Sequence, residues 1–399
     1  MTLESNHVLQ PGHLFHSRRK FISEASFGLT FAALSFSGIS ALTSCADNGG
    51  QKTDISTRLK TQDQSSHKKA QKKLGIALVG LGNYSEGQLA PALLETQHCY
   101  LAGIVTGTPE KAKKWRSQYN IPEMNVYNYE NFDTIKDNPA IDIVYVVLPN
   151  SMHAEYTIRS AKAGKHVICE KPMAVTVEDC DRMIAACREA NKMLSIGYRL
   201  HFDPYNKEMM RLAQQKEYCD FKKLRAENGM DSTSGWRLDK KLAGGGPLMD
   251  LGIYCVQGVR YTTGMEPISV RAQEGPKTDF QTFKDVEESL SFQLEFPGNF
   301  LAECKTSYSE SMNLLRAEVR NGWFELSPAY EYAGIKGRTA EGTMEFGEVN
   351  QQALQMDDFA LAVQNNRPTP VPGEMGRQDV KILQAIYQAM RTGERVEIR

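Results

Sequence analysis

Leu74-Gly75-Ile76-Ala77-Leu78-Val79-Gly80-Leu81-Gly82-Asn83-Tyr84-Ser85 is the stretch on which the fold turns. An apolar run of strand length meets two glycines one residue apart, and Leu89-Ala90-Pro91-Ala92-Leu93-Leu94 follows at helical spacing. A strand, a glycine turn and a helix bring backbone N–H groups and the positive end of the helix to one point, the arrangement that cradles a pyrophosphate. Ser85 stands at the third position of the G-x-G-x-x-G fingerprint, so the motif is imperfect. Taken alone it also fits a tight strand-to-helix turn without ligand.

The next strand, Tyr100-Leu101-Ala102-Gly103-Ile104-Val105, runs into Thr106-Gly107-Thr108-Pro109-Glu110-Lys111. A site built for NAD places a carboxylate at the end of this strand to hold the ribose 2′-hydroxyl. Here a hydroxyl and a lysine take its place, which suits a 2′-phosphate and favours NADP. Strands then alternate with helices: Ile141 to Asn150, a helix opening near Met152-His153, His166 to Pro172, a helix from Val177 to Ala190, and Met193 to Gly197. This alternation predicts a doubly wound parallel sheet, a Rossmann domain over 74–198, with its ligand beyond the carboxyl ends of the strands. Pro149-Asn150, Glu170-Lys171-Pro172 and Tyr198-Arg199 all fall at that edge.

From 199 to 399 the texture changes to alternating β segments, Phe221 to Glu227, Ile268 to Gln273, Val286 to Phe296, Phe300 to Tyr308 and Leu314 to Arg320. They predict an α+β domain with a large, mostly antiparallel open sheet, closed by a helix from Gln378 to Met390. Within it, Ala243-Gly244-Gly245-Gly246-Pro247-Leu248-Met249-Asp250-Leu251-Gly252-Ile253-Tyr254 places three glycines and a proline before a helix. The glycines let backbone approach a ligand, Pro247 suits a first helical turn, and Asp250 and Tyr254 fall on one face at i, i+4. A phenol beside an ammonium serves as acid and as base, because the positive charge favours the phenolate. Lys171 is the candidate neighbour and Asp250 a polar orienter. The same stretch also reads as a capped amphipathic helix with Tyr254 half-buried.

The chain has 399 residues, 41% of them hydrophobic and 9% aromatic, enough for two cores. Residues 1–73 hold 10 Lys and Arg against 5 Asp and Glu, leaving 37 against 43 for the rest. That mildly acidic body argues against a nucleic-acid partner. Ser17-Arg18-Arg19-Lys20-Phe21-Ile22, the apolar run to Ala41 and Leu42-Thr43-Ser44-Cys45 read as a twin-arginine signal ending in a lipobox, over 1–45. Cys45 would carry a lipid in a periplasmic or membrane-anchored protein, or else lie beside an ordinary cleavage site. Residues 46–73, rich in Gln, Ser, Thr and Lys, read as a flexible tether. The other seven cysteines show no metal-ligand spacing and read as buried free thiols, and no metal site is expected.

"GLGNYS", "VTGTPEKAKKW", "CEKPMA", "IGYRLHFDP", "WRLDKKLAGGGPLMDLGIY" and "GRQDVKILQAIYQAMRTGE" together resemble the glucose-fructose oxidoreductase branch of the Gfo/Idh/MocA oxidoreductase family, from Leu74 to the C-terminus. Many relatives carry histidine where this chain has Tyr254. The resemblance implies a tightly held NADP, oxidation of an aldose to its lactone, reduction of a second sugar, and a homo-oligomer, dimer or tetramer. It implies catalytic roles for Lys171 and Tyr254 with Asp250 beside them. By the same resemblance Gly80, Gly82, Tyr84, Ser85, Thr106, Lys111, Pro149, Asn150, His153, Glu170, Arg199, Trp236 and Arg237 contact cofactor or substrate. Two features depart from that branch: the segment between Glu227 and Trp236 is short, and lipobox and tether replace a cofactor-wrapping arm. Two other readings stand beside it, an NAD-assisted glycosidase of the same superfamily and a lipoprotein that binds sugar or nucleotide without turnover.

Overall fold

β1 (Leu74–Val79) is the centre of the first sheet, and its side chains split between two cores. Ile76 and Leu78 point to one face and Ala77 and Val79 to the other, all fully buried. That is the pattern of a strand covered by helices on both sides. In this computed structural model residues 72–215 and 220–398 are described; the twin-arginine stretch, Cys45, residues 46–71 of the tether and Cys219 lie outside them.

The other five strands, β2 (Cys99–Val105), β3 (Val126–Tyr127), β4 (Ile143–Val146), β5 (His166–Cys169) and β6 (Leu194–Ile196), give the order β3-β2-β1-β4-β5-β6. Every pairing in this sheet is parallel. The strand order reverses between β1 and β4, so the crevice opens between the turn at Gly80 and the segment leaving Val146, where a doubly wound sheet takes its ligand. One face is covered by the helices His153–Lys162 and Val177–Glu189. On the other face, Met356, Phe359 and Ala360 of the helix Gln351–Gln364 pack with Ile76, Leu78 and Ile143. That helix lies far along the chain, and the sequence reading above did not identify it.

The second sheet has nine strands in the order β14-β13-β12-β11-β7-β10-β9-β8-β15. In chain order they are β7 (Phe221–Gly229), β8 (Ser269–Glu274), β9 (Ser289–Glu295), β10 (Leu301–Ser307), β11 (Met312–Val319), β12 (Gly322–Leu326), β13 (Gly337–Thr339), β14 (Gly342–Met344) and β15 (Val396–Glu397). Only β7 and β10 pair in parallel; the remaining pairings are antiparallel. Along β9, Leu290, Phe292 and Leu294 are buried while Ser291 and Gln293 are exposed, the alternation of a sheet with one dry face. The helix Ile253–Thr263 and the longer helix Gly373–Thr392 supply the dry side. The latter begins five residues before the expected Gln378 and ends at Gly393, whose φ of 71° is left-handed. At Gly376 a Cβ would stand 2.9 Å from the Cβ of Met173, so this helix lies directly against the first sheet's EKP segment.

Candidate active site

At the end of β1, Gly80 has a φ of 94°, and a Cβ there would stand 2.3 Å from the carbonyl oxygen of Val147. No residue with a side chain fits. Two residues on, Gly82 is exposed, and a Cβ there would meet nothing within 4 Å. The first glycine is needed to make the turn, and the second leaves its outer side open. The Ser85 hydroxyl, fully buried, donates to the Gly80 carbonyl at 2.6 Å. Ser85 therefore braces the turn from inside instead of facing a ligand. Lys111 Nζ donates to the Leu81 carbonyl at 2.9 Å, which holds a cation at the glycine turn. Thr106, 6% exposed, accepts from the Thr108 amide at 3.2 Å and closes the end of β2. These residues fit a dinucleotide: an open side at Gly82, Lys111 beside that turn, and no acid at the end of β2.

Lys171 follows β5, and Asp250 and Tyr254 follow Pro247. Lys171 Nζ donates to the Asp250 backbone carbonyl at 2.7 Å and to its carboxylate at 3.2 Å, and stands 4.6 Å from the centroid of the Tyr254 ring. The other carboxylate oxygen of Asp250 accepts from Arg237 Nε at 2.7 Å and from the Tyr308 hydroxyl at 3.3 Å. Burial alone would raise the Asp250 carboxyl, but the Lys171 ammonium and the Arg237 guanidinium outweigh it and hold it at about 2. For Lys171, burial favours loss of the proton, yet Tyr254, Asp250 and Glu170 together push it above the ordinary lysine value. Asp250 thus stays a carboxylate and Lys171 an ammonium at neutral pH.

The spacing behind this convergence differs from the expectation. Leu248–Gly252 is a turn of π-helix, and the α-helix proper begins at Ile253. Asp250 and Tyr254 are not successive positions on one α-helical face; they converge because each reaches Lys171. The three glycines before them also differ in role from the reading above. A Cβ at Gly245 would stand 1.8 Å from the Tyr387 hydroxyl oxygen, one at Gly246 2.5 Å from the Glu287 carbonyl, and one at Gly244 2.9 Å from Val175. Their backbone is approached by protein. Glu287, 5% exposed, accepts from the amides of Gly246 at 3.0 Å and Leu248 at 3.2 Å and from the Tyr387 hydroxyl at 2.7 Å, and so caps the π-helical turn.

The remaining predicted residues divide into those at the crevice and those behind it. Arg199, 3% exposed, donates to the carbonyls of Glu331 at 2.8 Å and Tyr330, and to the Gln351 side chain. Its guanidinium lies 5.3 Å from the Tyr254 ring and 4.4 Å from the Tyr332 ring. Tyr332 in turn lies 5.9 Å from Tyr84, just past the glycine turn. Arg237 sits 4.9 Å from the ring of Trp236, so this pair stands with Asp250. Asn150, following Pro149, donates to the Ala243 carbonyl at 2.8 Å and joins the two halves of the crevice. His153 is not brought to the crevice: it is fully buried, with its ring nitrogens 2.9 Å from the Pro172 carbonyl and 2.8 Å from that of Leu148. It locks the segment after β4 to the segment after β5. Tyr308, Glu287 and Tyr332 went unrecognised, since nothing in their local sequence separates them from the other tyrosines and glutamates of strand ends and loops.

Two family models match successive parts of the chain. Residues 74–198 match the model of an oxidoreductase family with an NAD-binding Rossmann fold, and residues 207–321 match the GFO/IDH/MocA C-terminal domain. The crystal structure of aldose-aldose oxidoreductase from Caulobacter crescentus, complexed with glycerol, is 42% identical with a TM-score of 0.80, covering 82% of this chain and all of that one. D-xylose 1-dehydrogenase [NADP(+)] of Haloarcula marismortui is 27% identical over 340 residues, 81% of this chain and 92% of that protein. D-glucoside 3-dehydrogenase of Escherichia coli is 27% identical over 351 residues, 82% and 97% respectively. A switch point between β1 and β4, a glycine turn at the end of β1 and a lysine, aspartate and tyrosine brought together thus belong to a chain that is a member of the Gfo/Idh/MocA family of oxidoreductases.

Proposed function

We propose that this protein is an NADP-dependent oxidoreductase that converts an aldose to its lactone and reduces a second sugar with the same bound cofactor. The observation that carries the reading is the meeting of Lys171 Nζ with the Asp250 carboxylate at 3.2 Å and the Tyr254 ring at 4.6 Å. A bound nicotinamide dinucleotide supplies the hydride acceptor and, once reduced, the hydride donor. Tyr254 takes the proton of the sugar hydroxyl and returns one when a carbonyl sugar is reduced. The Lys171 ammonium stabilises the negative charge that gathers on the phenol oxygen as its proton leaves. Asp250, held by Arg237 and Tyr308, keeps Lys171 in place. NADP is favoured over NAD by Lys111 at the glycine turn and by Thr106 in place of an acid. The sugar reading is supported by the likeness to the aldose-aldose oxidoreductase and to the xylose and glucoside dehydrogenases.

The test is mass spectrometry of nucleotide released from purified protein that has passed through gel filtration, followed by a panel of aldoses. NADP(H) is expected in the released fraction, with a change in nicotinamide absorbance and a lactone product when the right aldose is added. Protein that carries and binds no nucleotide and transfers no hydride to or from any sugar overturns the proposal. We also propose export by the twin-arginine route with a lipid on Cys45, which rests on the N-terminal sequence alone. A mature mass beginning at Cys45 plus acyl groups is expected.

A further inference from the structure

Beneath Lys171 the structure holds a buried hydrogen-bond chain that the mechanism above does not use. Gln355, 1% exposed on the helix Gln351–Gln364, donates through Nε2 to the Tyr145 hydroxyl at 2.8 Å. Tyr145, fully buried on β4, donates in turn to Glu170 Oε1 at 2.6 Å. The other oxygen of Glu170 accepts from the Lys171 amide at 3.2 Å. Because the amide of Gln355 occupies a lone pair of the Tyr145 oxygen, the phenolic proton is directed at the carboxylate. The neighbouring chain is shaped for that carboxylate: a Cβ at Gly197 would stand 2.5 Å from Glu170 Oε1. Tyr145 reaches Glu170 from one strand away, and Gln355 reaches Tyr145 from 210 residues further along the chain.

Resting on the role given above to Lys171, we infer that Gln355 and Tyr145 are positioning residues, which hold the Glu170 carboxylate in place as the negative charge behind Lys171 and so set the pH range in which the site works. Burial raises the Glu170 carboxyl, and the Tyr145 hydroxyl, the Lys171 ammonium and amide and the Arg199 guanidinium act against that rise. The phenols of Tyr84 and Tyr332 also lie within electrostatic reach; desolvation raises the Tyr84 phenol, and Tyr332, though 42% exposed, is pushed up to about 12 by desolvation and by Tyr254 beside it. Loss of the Tyr145 hydroxyl removes one of the donors that favour the charged carboxylate, so Glu170 then takes up its proton at a higher pH. Below that pH Lys171 faces a neutral acid. A hydrogen bond to a charged group corresponds to a displacement of about one pH unit.

Tyr145→Phe keeps the ring and its packing and removes the hydroxyl alone. Difference infrared spectroscopy across a pH titration reads the protonated carboxyl of Glu170 directly, with Glu170→Gln identifying its band. The band is expected at a pH about one unit higher in Tyr145→Phe than in the unaltered protein, with Gln355→Leu moving it in the same direction by less. The acid limb of kcat/KM should move by the same amount, and the double variant Tyr145→Phe with Glu170→Gln should match Glu170→Gln alone. An unmoved band, or an acid limb in Tyr145→Phe that stays in place while the rate falls evenly at all pH values, overturns the inference. A displaced band in a protein that turns over no sugar instead supports the chain and overturns the proposed function, so the two failures are told apart.

Discussion

At residues 80–82 and again at 244–246 the chain passes through glycines into a turn of π-helix, Ser85–Leu89 in one case and Leu248–Gly252 in the other, before an α-helix begins. Single π-helical turns recur where helices carry functional groups. In sequence the two turns look like two versions of one device, yet they differ in what meets the glycines. Gly82 faces open space, whereas Gly245 and Gly246 face the Tyr387 hydroxyl and the Glu287 backbone. The first turn stays open on its outer side. The second uses its glycines up in internal packing, and that packing fixes the π-helical turn that carries Asp250 and the start of the helix that carries Tyr254. A glycine run therefore says that something comes close to the backbone, and only its surroundings say whether that is ligand or protein.

The comparison can be broken most sharply at the helix that each turn launches. Tyr254→Phe should lower kcat by a factor of about 100 to 10,000, the usual worth of a general acid and base, while nucleotide bound at the first turn stays. Equal loss of sugar turnover and nucleotide would show that the two turns are not separate in function. Gly245→Ala should destabilise the fold by about 1–3 kcal/mol in a denaturant titration, because the added methyl would stand 1.8 Å from the Tyr387 oxygen. An unchanged midpoint would mean that this turn is as open as the first.

Acid should act on the second turn through Asp250, whose carboxyl is held at about 2, below the ordinary aspartate value of 3.8. A lowered folded-state value contributes stability above the unfolded-state value, and that contribution disappears as the pH falls through about 2. About 2 kcal/mol is expected to be lost between roughly pH 4 and 2, with no change from this group between roughly pH 5 and 8. Stability curves of the protein and of Asp250→Asn should run parallel in the upper range and draw together in the lower. The smallest effect belongs to the open turn: Gly82→Ala should leave folding stability within about 0.5 kcal/mol, while nucleotide affinity, read by titration, falls because the methyl occupies the cradle. A drop in stability like that of Gly245→Ala would remove the distinction.

Much of the first sheet was legible because its strands are continuous apolar runs. β1 has the bounds that the sequence implied, and β2, β5 and β6 agree to within a few residues at either end. β3 was missed because two residues at a sheet edge carry no periodic signal. The helix Gln351–Gln364 was missed for a different reason. Its Gln351, Gln352 and Gln355 interrupt any apolar period, yet all three are buried, with Gln351 bound to Arg199 and Gln355 to Tyr145. Polar side chains buried by partners 150 residues away or more look like surface residues in a sequence. His153 misled in the opposite sense: a histidine at the crevice edge in sequence is a fully buried brace between two backbone carbonyls.

What the sequence by itself determined was the alternation of strand and helix, the glycine turn after β1 and the candidates Lys171, Asp250 and Tyr254, because hydrophobic period and chain-local turn chemistry are written residue by residue. What only the tertiary structure decided was which glycines face open space and which face protein, that Lys171 joins Asp250 to Tyr254 across 79 and 83 positions of chain, and that Gln355 stands behind Glu170. Those contacts depend on how two sheets and a returning helix pack together. No short stretch of chain contains that information.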